Sequence, residues 1–261
     1  MAPENVILNK SNHIGVIRLN RPKAFNALNF GLGDDLVRVL EACTDDPETK
    51  AVIITGEGKA FCAGGDLAMF KTSPDTSDTL RQIIKRLNTC VMLIRRMPKP
   101  VVAAINGVTG GAGMSIAAAC DIRICARSVT FKQAYTSVGL VPDGAWTLLV
   151  PLLIGFGKAS EMAFLDPVFN ADTALEMGLV NSIVDDGELQ NAAFDTAAKL
   201  AAGPTIAYSI IKENLNSAML AFLERQLELE RRGMTDVGKT SDAEEGISAF
   251  LEKRPPIFRG I

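Results

Sequence analysis

Residues 105–121, INGVTGGAGMSIAAACD, constrain the chain more than any other stretch. Four glycines, at 107, 110, 111 and 113, follow the apolar run VVAAI and lead into a segment of Ala, Ser and Met. A turn from strand into helix leaves the first backbone N–H groups of the helix without partners and aims them at whatever lies above its N-terminus. The glycines serve either a helix pressed tightly against a strand or a site for an anion or oxyanion, and the stretch by itself leaves both open. The spacing G-x-x-G-G-x-G matches neither the dinucleotide fingerprint nor the P-loop, and no Lys-Ser/Thr pair follows for a nucleotide's phosphates.

A second stretch, GKAFCAGGDL at 58–67, has the same character: a strand end followed by small residues and glycines. Two such loops, each offering one backbone N–H to a single carbonyl oxygen, are what a dry site needs to stabilise an enolate or a tetrahedral oxyanion.

The rest of the chain alternates strand and helix. NVILN and IGVIRLN flank a polar turn that holds the single histidine, His13, and read as a β-hairpin. A helix is expected over 30–43, the strand AVIITG after TDDPETK, a helix over 78–96, a break at MPKP and the strand VVAAI. After the glycine-rich turn and its short helix come the strands DIRICA and VTFKQ. Recurrent alternation of this kind predicts an α/β fold with parallel pairing. From Gly144 onward helical patterns dominate, apart from LVNSIVDD, and AAGPT near Gly203 marks a division into a core, 1–200, and a helical region, 201–261. The amphipathic segment FLERQLELERRG is expected to pack on another subunit or back on the core.

At 261 residues and 48% hydrophobic the chain can bury a sizeable core, and its net charge of −3 gives no bulk attraction for nucleic acid or an anionic membrane. A basic run at 81–100, with Arg81, Lys85, Arg86, Arg95, Arg96 and Lys99, has no interleaved aromatic residue for base stacking. It reads as a solvated helix face or a rim attracting anions rather than an RNA site. Five cysteines, odd in number and without a C-x-x-C pair, predict reduced buried thiols and no metal site. No apolar run reaches the roughly 18 residues of a spanning helix, and the first residues, MAPENVILNK, lack a signal-peptide pattern. A cytoplasmic location is therefore expected.

The blocks RPKAFNAL, AVIITGEGKAFCAGGDL, KPVVAAINGVTGGAGMSIAAACDIRICA, VGLVPDGAWTLL, ALEMGLVNSIV and EGISAFLEKRPPIF resemble the successive signatures of the enoyl-CoA hydratase/isomerase (crotonase) superfamily. They run in the family's order over nearly the whole chain. The resemblance implies a spiral of ββα units with a C-terminal helical trimerisation region, hence a homotrimer or a dimer of trimers. It also implies acyl-CoA thioester substrates, with coenzyme A entering as part of the substrate and no separate cofactor. By the same resemblance Gly65 and Ala112, beside Gly111, are the two oxyanion-hole donors. Lys23, Ala24, Ala63, Asp66 and Leu67 match the groove for adenine and phosphates, and Phe250 and Lys253 match residues that can reach a neighbouring subunit's CoA.

Family hydratases carry two glutamates that position water, and the matching positions here hold Ser115 and Tyr135, both grouped with the substrate-binding set. Loss of an acid/base pair, each member worth ~10²–10⁴ in rate, argues against efficient hydration. In the isomerase branch a carboxylate stands eight residues after the second glutamate's place, in a Pro-acid-Gly turn; here that residue is Asp143 of VPDGAW. Its apolar neighbours should raise its pKa and its strength as a base. The sequence thus points to an enoyl-CoA isomerase with Asp143 as proton-transfer base. The alternatives are a hydratase, a thioester hydrolase or dehalogenase with Asp143 as nucleophile, a plain turn residue, and a binding protein for CoA or RNA without turnover.

Overall fold

The computed structural model describes residues 5–219 and 221–261. The hairpin of β1 (Val6–Ser11) and β2 (Ile14–Leu19) is followed by α1 (Phe30–Asp45), whose first turn is capped by Asn29, the side chain accepting from Leu32 N. Then come β3 (Ala51–Gly56), β4 (Ala60–Cys62), α2 (Leu67–Thr72) and α3 (Thr76–Arg96). The segment KTSPDTSD at 71–78 ends one helix and begins the next. Asp66 caps α2 by accepting from Met69 N, and Asp75 caps α3 by accepting from Asp78 N, so the short acids do locally what hydrophobic periodicity does not reveal.

β5 (Val101–Ile105) and β6 (Val108–Gly110) lead into α4 (Ala112–Ala119); β7 (Ile122–Ala126) and β8 (Thr130–Lys132) lead into α5 (Trp146–Ile154) and α6 (Phe156–Leu165). The chain continues through β9 (Phe169–Asn170), α7 (Ala171–Glu176), β10 (Ser182–Val184), α8 (Leu189–Ala201), α9 (Thr205–Met219), α10 (Leu223–Val237) and α11 (Ser241–Leu251).

Two sheets result, one in the order β1-β2-β3-β5-β7-β10 and a smaller one in the order β4-β6-β8-β9. Only β1 with β2 and β8 with β9 pair antiparallel. The strand pairs β3/β4, β5/β6 and β7/β8 each divide their members between the large and the small sheet, so successive ββα units wind as a spiral. The α/β fold and the spiral expected from the sequence are both present. Continuous apolar runs such as AVIITG are buried at every residue because the parallel strands are covered on both faces.

Every residue of α4 is buried, which is why it is built of Ala, Gly, Ser, Met and Ile. A Cβ on Gly113 would sit 2.1 Å from Cys62 O, so only glycine lets this helix approach the end of β4 so closely. At the other end of the chain, α10 packs on α3 through Leu227 and Met234, both nearly inaccessible. α11 lies against α2 and the turn at 136–138; Lys71 Nζ donates to Ser248 Oγ at 2.7 Å, and a Cβ on Gly246 would sit 2.4 Å from the Val138 backbone. All five cysteines are buried free thiols, and among the described residues no helix is long and apolar enough to cross a membrane.

Candidate active site

The two glycine-rich loops meet. A Cβ on Gly111 would lie 3.1 Å from Gly64 Cα, close enough that the neighbouring loop would have to give way, and one on Gly64 would make an ordinary contact with Gly111 Cα at 3.5 Å. Gly64 and Gly111 also hold positive φ, 115° and 46°, which turns the chain so that the following peptides point outward. Those peptides belong to Gly65 and Ala112. Ala112 is the first residue of α4, and among the described residues neither its N–H nor that of Gly65 donates to a protein group. Both residues line one cavity of about 300 Å³.

The cavity also takes in Ala24, Ala63, Asp66, Leu67, Gly111, Tyr135, Asp143 and Phe250. Leu80, Ile83, Ile84 and Leu87 of α3, Leu140 and Met234 of α10 give it an apolar wall. α3 thus forms one wall of the cavity, whereas Trp146 and Met114 are core residues that do not line it. Lys23, Ser115 and Lys253 are not brought to it. Lys23 and Lys253 are exposed, Lys23 beside the mouth formed by Ala24 and Phe25, Lys253 just past the end of α11. Ser115 is fully buried and donates from Oγ to the backbone carbonyl of Asp143 at 2.6 Å, so it anchors the acid's main chain instead of touching the cavity. Phe250, matched by resemblance to residues that reach a neighbour's CoA, lines this chain's own cavity because α11 folds back over α2.

Two carboxylates face the cavity. Asp66 is held by Arg21, Nη2 to Oδ2 at 2.9 Å, and caps α2, so its charge is already satisfied. Asp143 has no cation beside it. It is 7% exposed, and burial pushes its pKa up to about 7, partly offset by the Tyr135 hydroxyl, which donates to Oδ1 at 2.6 Å. The same burial, with the neighbouring negative charge, raises Tyr135 well above the usual phenol range and keeps it a neutral donor. The raised pKa read from Asp143's apolar neighbours is therefore matched by its burial.

The turn that presents Asp143 is tight. Gly144 and Ala145 are both left-handed, φ 65° and 63°, and a Cβ on Gly144 would sit 2.8 Å from Leu87 Cδ2 and 2.9 Å from Ser115 Cβ. The segment threads between α3 and α4 before α5 begins. Two lining or supporting residues escaped the sequence reading. Lys132, among the described residues the one cationic side chain on the cavity wall, is paired with Asp166 at 3.2 Å and donates to Ser137 Oγ at 3.1 Å. Glu230 lies behind the Asp143 turn; its signal was a carboxylate at a buried-face position of α10, between Leu227 and Met234.

The arginines of the basic run of α3 are taken up by ion pairs, Arg81 with Asp78, Arg86 with Asp34, Arg95 with Asp121 and Arg96 with Glu224, and Lys85 is exposed. Lys99 donates to the carbonyls of Cys43, Thr44 and Asp46. His13 sits exposed in the β1–β2 turn, with Nδ1 2.9 Å from Glu48 O, and does not line the cavity.

The chain belongs to the enoyl-CoA hydratase/isomerase family, whose profile matches residues 9–260. It is similar to the 1,2-epoxyphenylacetyl-CoA isomerase of Escherichia coli K12, 37% identical with 94% of each chain covered. It is also similar to the crotonyl-CoA hydratase of Syntrophomonas wolfei, 36% identical with 99% of each chain covered. Among solved structures, an enoyl-CoA hydratase from Mycobacterium avium subsp. paratuberculosis K-10 superposes with a TM-score of 0.90 at 31% identity over 98% of both chains. The fold is that of the crotonase superfamily.

Proposed function

We propose that the chain is an enoyl-CoA isomerase that shifts a β,γ double bond of an acyl-CoA thioester to the α,β position. One observation carries the reading: among the described residues the only unneutralised carboxyl on the cavity wall is Asp143, buried and with a pKa of about 7, while the positions that would hold a hydratase pair are Ser115 and Tyr135. In the proposed step the Gly65 and Ala112 N–H groups donate to the thioester oxygen. Asp143 takes the proton from C2; the C–H electron pair moves into a dienolate whose charge rests on that oxygen. Asp143 then delivers the same proton to C4, and the C3=C4 bond becomes C2=C3. A base with a pKa near the working pH suits both halves of such a transfer. Tyr135 orients the carboxylate between them.

Water activation plays no part, so one carboxyl suffices. The nucleophile reading is less well supported because hydrolysis of an acyl-enzyme would need an activated water, and the single histidine lies in the distant hairpin. Lys23, Ala24, Ala63, Asp66 and Leu67 are proposed to flank the CoA moiety at the mouth, and Lys253 to reach it from the end of α11.

The test is a panel of 3-enoyl- and 2-enoyl-CoA thioesters with products read by mass. Isomerisation leaves the mass unchanged, whereas hydration adds a water. Asp143→Asn keeps shape but removes basicity, so it should lower double-bond migration by ~10²-fold or more while leaving thioester affinity within a few-fold. Unaltered migration in that variant, or a gain of water by the parent's products, would overturn the reading.

A further inference from the structure

Glu230 is buried in α10, is 5% exposed, and takes no part in the chemistry described so far. Its Oε2 accepts from Ala145 N at 2.6 Å, its Oε1 accepts from Thr147 N at 2.9 Å, and the Thr147 hydroxyl donates to Oε1 as well. Gln226, one turn earlier, donates to Thr147 Oγ1 at 2.7 Å. α5 has no local cap, because the residue at its cap position is Ala145. A carboxylate from a helix more than eighty residues away therefore fills the place of one.

The location matters because Asp143 stands two residues before Ala145. With the α5 N-terminus empty, its unpaired N–H groups would attract the nearest free carboxylate, which is Asp143 itself. A base bound to two or three backbone donors loses basicity and turns from the cavity. Ala145 adds a second constraint: a left-handed alanine is strained and persists only where its surroundings hold it. Glu230 holds it through the Ala145 N–H.

We propose that Glu230 is a positioning residue for Asp143: by occupying the N–H groups of Ala145 and Thr147 it fixes the left-handed turn and leaves the Asp143 carboxylate free to face the cavity. The inference rests on Asp143 being the base. No cation competes for Glu230. On α10 itself, Arg231 and Arg232 pair with Glu228. On α3, Arg81, Arg86, Arg95 and Arg96 are paired elsewhere, and Lys85 is exposed. α4 and α5 carry no ionisable side chain, so the titratable groups facing Glu230 are Asp143 and Tyr135. Burial pushes Glu230, like Asp143, up to about 7, and the charge of Asp143 adds to the rise at Glu230.

The test compares the pH dependence of kcat/KM and kcat for 3-enoyl-CoA isomerisation in the parent, Glu230→Gln, Glu230→Ala and Asp143→Asn, with thermal unfolding alongside. Glu230→Gln keeps one acceptor but removes the charge, so the acid limb, set by a base that must be ionised, should move to lower pH, with kcat down a few-fold and KM within about twofold. Glu230→Ala empties the helix terminus and should cost ~10²-fold in kcat, the scale of a misplaced catalytic group, with Gln giving most of it back. A lowered unfolding temperature with kcat and the acid limb unchanged in Glu230→Gln would reduce Glu230 to a structural cap and overturn the inference, even if Glu230→Ala fails to fold. Should Asp143→Asn itself retain activity, the reading beneath has failed, and that outcome is distinct from an inactive Asp143→Asn beside an unaffected Glu230→Gln.

Discussion

Asp143 and Tyr135 form a pair whose members do different work. The phenol donates to the carboxylate at 2.6 Å and so favours its ionised form, against the larger effect of burial. Tyr135→Phe removes the donor and leaves the ring. The Asp143 pKa should then rise above about 7. Since the base works ionised, the rise of kcat/KM with pH should begin later, and the loss should be greatest at pH 6 and smallest near pH 9. A rate loss equal at every pH would mean that Tyr135 acts on substrate and not through Asp143. The acid was legible in the sequence because its place could be counted from the Tyr135 position along a signature block. Its partners were not: that Ser115 holds the Asp143 carbonyl, and that Glu230 stands behind the turn, follow from contacts 28 and 85 residues apart along the chain, Glu230's being with Ala145.

At the scale of elements, α4 is proposed to act through its main chain. Its side chains fill the interior, and its first N–H is the proposed donor. Proline is favoured at the first position of a helix, where the missing N–H costs no intrahelical bond. Ala112→Pro should therefore keep the helix while deleting that donor, with a fall of ~10²–10³-fold in kcat. A folded Ala112→Pro protein, judged by circular dichroism and unfolding temperature, that turns over at the parent's rate would remove Ala112 from the site. The small-residue pattern of 105–121 announced this helix and its close approach. By contrast, α2 went unforeseen because its two turns rest on the Asp66 cap and on Phe70 packing into the core, not on a periodic apolar face of useful length. The reach of α10 and α11 into the cavity wall, through Met234 and Phe250, was likewise beyond a pattern that reports amphipathicity without saying what the apolar face meets.

At the scale of the whole molecule, several large apolar side chains remain uncovered: Phe156 and Phe164 of α6 at 81% and 82%, and Ile206 of α9 at 78%. Exposed apolar groups of this size point to contacts between copies, and we propose assembly as a trimer or a dimer of trimers. Light scattering at micromolar concentration should give three or six times the chain mass of 27.9 kDa, and a clean monomer would count against it. The spiral has one more consequence. It brings the end of β4, the start of α4 and the 135–145 turn, three segments far apart in sequence, around a single small volume. The proposed grip on the thioester is made of backbone, which point mutation seldom erases. The proposed base is a side chain, which one codon can relocate. Descendants of such a scaffold can exchange one reaction for another without renegotiating how the molecule folds or what handle it grasps, and overall similarity then reports ancestry of the handle more faithfully than the bond being made.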